Sequence, residues 1–131
     1  MVTFNLIVLR SPNPSVLTQF YSGLGIRFER EKHASGPEHH AANLGGVIFE
    51  IYPSPDKGDT TAATRIGFEV PNVALAVSHA TRLGAHIITP ARTLGGITRA
   101  VIRDPDGHKV ELTERPFQPS DASMPTNDSA S

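Results

Sequence analysis

Two glutamates occupy matching places in the chain. Glu111 stands in Lys109-Val110-Glu111-Leu112 and Glu50 in Val47-Ile48-Phe49-Glu50-Ile51. Side chains alternate across a strand, so Glu111 shares a face with Lys109 and Thr113, while Val110 and Leu112 point to the opposite, apolar face. A carboxylate set mid-strand in this way needs water or a partner. One such residue is equally well read as part of a solvated outer face. A second glutamate in the corresponding strand of another half points instead to a cavity that both face.

The halves are legible from the elements that must position these residues. Phe4 to Arg10 reads as a strand halted by Pro12 and Pro14, and Asn13 can cap the helix that carries Val16, Leu17, Phe20, Tyr21 and Leu24. Ile26–Lys32, His39–Leu44 and Val47–Tyr52 follow as strands, with Gly45-Gly46 between the last two. Ser54 to Ala62 has linker composition. Thr64–Val70 then reads as a strand stopped at Pro71-Asn72, and Val73, Ala76, Val77, Ala80 and Leu83 form a helical stripe ending at Gly84. Strands at His86–Ile88, Thr98–Arg103 and His108–Glu114 complete the half. Asp104-Pro105-Asp106-Gly107 reads as the corner before the last, with Pro105 fixing φ and Gly107 supplying a positive one. The order β-α-β-β-β occurs twice. The expected class is α+β, with module one over about 3–53 and module two over about 63–115 of a single domain spanning 1–115. Residues 116–131 are polar and proline-containing, and read as a disordered tail.

Composition narrows the partners. With 131 residues, 12 Lys plus Arg against 13 Asp plus Glu, and no cysteine, the chain has no charge excess to draw it to a phosphate backbone or a membrane. It also has no thiol chemistry. No nucleic-acid or membrane partner is expected, and a cytoplasmic location follows as the default.

Taken in order, several stretches resemble the vicinal oxygen chelate superfamily of glyoxalases, extradiol dioxygenases, fosfomycin-modifying enzymes and bleomycin-resistance proteins. The carriers are Asn13 to Tyr21 with Leu24-Gly25-Ile26, Phe49-Glu50-Ile51, Ile66 to Val70, and Asp104-Pro105-Asp106-Gly107 leading into Val110-Glu111-Leu112. The resemblance implies a curved, cup-shaped mixed sheet around a small-molecule cavity, commonly in a homodimer. It also implies a divalent metal (Zn, Ni, Fe or Mn) held by one residue on the first strand and one glutamate on the last strand of each module. Glu50 and Glu111 match the last-strand positions and are the expected catalytic and metal-ligating pair. The first-strand positions fall on Leu6 and Arg65, which have no lone pair to give a metal. Asn5 is a neighbour that a bulge would be needed to turn inward.

Other candidates come from the residues themselves. Arg10 shares a face with Leu6 and Val8 and has the reach for an anionic ligand. His40 shares parity with Ala42 and Leu44, and only one of His39 and His40 can enter the cavity. Arg65 is expected either to bind an anionic ligand or to bridge Glu50 and Glu111 in place of a metal. Two functions stay open: a glyoxalase-like, metal-dependent lyase or isomerase, in which a glutamate exchanges between metal binding and proton transfer, and a metal-free small-molecule-sequestering protein of the bleomycin-resistance type. The substrate and any use of glutathione stay open as well.

Overall fold

The computed structural model describes residues 1–54 and 61–114. The expected tail at 116–131 and most of the expected linker lie outside the described residues. The elements are β1 (Leu6–Ser11), α1 (Pro14–Gly23), β2 (Glu29–Glu31), β3 (His39–Leu44), β4 (Val47–Pro53), β5 (Arg65–Glu69), α2 (Val73–Arg82), β6 (His86–Leu94), β7 (Ile97–Arg103) and β8 (Lys109–Glu114). This is the twofold β-α-β-β-β order, in an α+β fold.

Each module forms its own four-stranded sheet, in the order β1-β4-β3-β2 and β5-β8-β7-β6. The first strand runs parallel to the last and the other pairs are antiparallel. A helix makes the crossover that a parallel pair requires. Both helices are begun by the asparagines after the strand-stopping prolines. Asn13 Oδ1 accepts from the Val16 amide at 3.4 Å, and Asn72 Oδ1 accepts from the Leu75 amide at 2.9 Å. Each satisfies a donor that the first helical turn leaves open.

One core joins the modules. Leu17, Phe20 and Tyr21 of α1 and Val73, Val77 and Ala80 of α2 pack with Leu9, Phe49, Ile51, Ile102, Val110 and Leu112 from the strands. Phe49 and Phe68 meet across the two sheets with ring centroids 5.9 Å apart. The residues that alternate with these, among them Glu50 and Glu111, are therefore turned away from the helices.

The longest departure from the sequence reading is β6, expected at His86–Ile88 and observed to Leu94. Pro90 has no amide hydrogen and reads as a stop. In the structure the strand passes through it with register shifts between Ile87 and Thr89 and between Thr89 and Arg92. β6 lies at the sheet edge, where a bulged strand tolerates proline. Gly95 and Gly96, at φ 61° and 80°, then turn the chain into β7.

Candidate functional site

Alternation in β4 puts Phe49 and Ile51 in the core and Ile48, Glu50 and Tyr52 on the opposite face. Glu50 lines a concavity of about 530 Å3 together with Arg27, Glu29, Glu31, Ala41 and Asn43. The same logic in β8 buries Val110 and Leu112 and turns Glu111 to the other face of module two. There Arg65, Thr89, Arg92, Leu94, Arg99 and Val101 line a second concavity of about 400 Å3. Within one chain, then, the two glutamates stand on different sheets, Glu50 lining the first concavity and Glu111 paired with arginines that line the second.

Glu111 is engaged by cations. Arg65 Nη2 donates to Glu111 Oε1 at 2.8 Å, and Arg99 Nη1 lies 3.6 Å from Glu111 Oε2. The Arg65 hydrogen bond holds the Glu111 carboxyl below the usual carboxylate range, against the opposing effect of burial and with help from Arg99. An Arg65 bridge to both glutamates was one expectation; the observed group is two arginines on Glu111, with Glu50 elsewhere. Arg65 is 53% exposed at its side chain and Glu111 27%, so the pair lines a surface and is no buried bridge.

The family's metal position does not suit an ion here. Leu6 contributes no donor atom, and the guanidinium of Arg65 occupies Glu111 at hydrogen-bonding distance.

Glu50 has a different neighbour. Its Oε2 lies 3.7 Å from Nε2 of His39, whose side chain is 1% exposed. His39 pairs with Glu31 across β2 and β3, and Glu31 Oε1 is 3.4 Å from the same nitrogen and 3.4 Å from Nε2 of His33. Of the two adjacent histidines His40 is the candidate from sequence, where the inward parity stays open; in the structure His39 lies on the Glu50 side. His40 shares its face with Ala42 and Leu44, which pack on the core, whereas His39, Ala41 and Asn43 share the opposite face. The guanidinium carbon of Arg10 lies 5.9 Å from the Tyr52 ring centre.

A buried polar chain behind the sheets escaped the sequence reading. Asp104 Oδ1 accepts the amides of Asp106, Gly107 and His108, each at 3.0 Å, which fixes the corner before β8. Asp104 Oδ2 accepts the Tyr21 hydroxyl at 2.6 Å and lies 2.8 Å from His108 Nδ1. His108 Nε2 in turn lies 2.8 Å from Thr61 Oγ1. Burial first, and the Asp104 charge and hydrogen bond next, push the Tyr21 phenol well above its usual value. These groups tie α1, the start of β5's approach and the β8 corner together from inside the core. The Asp-Pro-Asp-Gly turn was the visible signal; Tyr21 and His108 carried none.

The comparisons with known proteins agree with this architecture. The family model described as Glyoxalase/Bleomycin resistance protein/Dioxygenase superfamily matches residues 3–112. Among solved structures, hypothetical protein SA1046 from S. aureus superposes with a TM-score of 0.68 at 17% identity, over 87% of this chain and 97% of that one. TioX from Micromonospora sp. ML1 gives 0.66 at 19%, over 87% and 99%. A glyoxalase-related enzyme from Fulvimarina pelagi gives 0.69 at 16%, over 88% and 89%. At such identities these structures speak for the fold alone. No curated protein sequence matches the chain. The repeated β-α-β-β-β topology and a family match running from before β1 into β8 lead to one conclusion: the chain belongs to the glyoxalase/bleomycin resistance protein/dioxygenase superfamily.

Proposed function

We propose that this protein binds a small organic anion with an apolar body, as a sequestering protein of the bleomycin-resistance type, on the concave face of module two. The observation that carries the reading is the lining of that face. Arg65, Arg92 and Arg99 stand around a concavity whose remaining walls include Leu94, Ile97 and Val101. A guanidinium offers a planar fork that matches a carboxylate, and the aliphatic side chains offer area to bury. Glu111 then acts as a positioning group that holds Arg65 and Arg99 toward the ligand.

The same reading makes the protein a homodimer. The module-one concavity carries Glu29, Glu31 and Glu50 against Arg27, and the module-two concavity carries three arginines. The two faces are complementary in charge, so two copies related by a two-fold axis close both cups at once.

The metal-dependent lyase is the other reading, and it asks Glu50 and Glu111 to hold one ion. Arg65 on Glu111 weighs against it. The experiment that separates them is titration calorimetry with aryl carboxylates and their uncharged amides, alongside a turnover assay on the methylglyoxal–glutathione adduct with added Zn2+ or Ni2+. Binding of the carboxylates but not the amides, lost in Arg99→Met, supports the binding protein. Metal-dependent turnover sinks it.

A further inference from the structure

From the geometry around His39 we infer a divalent transition-metal site in module one, formed by Glu31, His33 and His39, beside Glu50. It lies on β2, the turn after it and β3, away from the first-strand positions held by Leu6 and Arg65. It uses none of the arginines of the anion-binding face, but Glu31 also lies on the acidic face through which the dimer is proposed.

His39 is the fixed point. Its ring stacks on Tyr52 with centroids 4.1 Å apart and planes within 9° of parallel. Its Nδ1 lies 3.3 Å from the Pro37 carbonyl oxygen. A carbonyl can only accept, so Nδ1 carries a hydrogen, and in the neutral ring Nε2 is then the nitrogen with a lone pair to give. A backbone carbonyl on the far nitrogen is the usual way in which a ligating histidine is oriented. Nε2 is buried and makes no hydrogen bond, which is costly for a polar atom unless something else satisfies it.

The surroundings fit an ion. His33 follows the end of β2 with its Nε2 3.4 Å from Glu31 Oε1, and the β2–β3 register sets His39 opposite Glu31. One donor atom from each of the three lies within 4.8 Å of the others. Metal–ligand bonds of about 2.0–2.1 Å in a tetrahedron place neighbouring donors roughly 3.3 Å apart. The separations from Glu31 Oε1 to His33 Nε2 and to His39 Nε2 are both 3.4 Å, and Glu50 Oε2 stands 3.7 Å from His39 Nε2. A well-made hydrogen-bonded ion pair would bring Nε2 closer to one oxygen, and carboxylates held at 3.4 and 3.7 Å suit a cation set among these groups. Two imidazoles with one or two carboxylates favour Zn2+, Ni2+ or Co2+ over Mg2+ or Ca2+. His33, 73% exposed at its side chain, leaves the route in from solvent open.

The test is calorimetric titration of the chelator-treated full chain with Zn2+, together with the visible spectrum of the Co2+ form and the thermal shift caused by either metal. Saturable one-to-one binding is expected, with the intense ligand-field bands of low-coordinate Co2+ and no such shift from Mg2+. His33→Ala and Glu31→Gln, both changes at partly exposed residues, should weaken Zn2+ by more than the roughly 10–100-fold that an outer-shell partner carries. His86→Ala, on the distant β6, should leave the affinity unchanged. No saturable binding, or binding that survives both His33→Ala and Glu31→Gln, overturns the site. Circular dichroism of each variant shows that any loss is not one of folding.

Discussion

Arg65 Nη2 and Glu111 Oε1 are 2.8 Å apart, joining the first strand of module two to the last. The exposure of both side chains sets what that contact is worth. A fully buried pair broken on one side would cost about 3–5 kcal/mol. An exposed pair contributes about 0–1 kcal/mol. Arg65→Met is therefore expected to lower stability by no more than about 1 kcal/mol in urea denaturation, while weakening any carboxylate ligand of the face. A loss of several kcal/mol would show that the pair is sealed from water in the native protein.

The same bond gives Glu111 a pH signature. Its folded pKa is depressed, chiefly by the Arg65 hydrogen bond, so the stability it adds is present above the unfolded carboxylate value of about 4.3 and is lost as pH falls through the folded value. NMR titration of the Glu111 side chain should give a midpoint below that of an ordinary glutamate, returning toward it in Arg65→Met. An ordinary midpoint in the unaltered protein would mean that Arg65 is not bonded in solution.

Much of the fold was readable because its signals are local. Asn13 and Asn72 after strand-stopping prolines, and the Asp104–Gly107 corner, each determine their own neighbourhood. The site was less readable because it depends on which face of a strand meets the core. His39-His40-Ala41-Ala42 has no apolar alternation, so only the packing of Ala42 and Leu44 reveals that His39, not His40, is on the Glu50 face. The Glu31–His39 pairing depends on the register across the turn between β2 and β3, which sequence patterning does not specify. Nor does a repeat say whether its two equivalent glutamates share a cavity within one chain.

Tyr21 holds a buried carboxylate. Tyr21→Phe keeps the ring packed on Phe20 and Phe49 but removes the 2.6 Å donor to Asp104. A hydrogen bond to a charged group is worth about 1.5–3 kcal/mol, and that loss is expected in thermal or urea unfolding. Because the phenol's folded pKa is raised, the stability linked to its proton is present below the usual tyrosine value of about 10 and is lost as pH rises through the folded one. Ultraviolet titration should show Tyr21 ionising only as the chain unfolds in alkali. Early ionisation with the fold intact would place the hydroxyl in contact with water.

The proposed dimer has a consequence that no monomer shares. If the Glu29, Glu31 and Glu50 face of one copy meets the Arg65, Arg92 and Arg99 face of another, association is steered by charge and must weaken as salt screens it. It must also bury Leu94 and Ile97, which the isolated chain leaves exposed at the β6–β7 turn. Light scattering at tens of micromolar should return twice the 14.1 kDa mass of one chain at low salt, with dissociation favoured on dilution into high salt. Arg92→Glu sets like charges against each other across the interface, because the face it meets is acidic, and should shift the population to monomer without unfolding it. A monomer mass at low salt, or a dimer indifferent to Arg92→Glu, would mean that the two cups are not closed by each other.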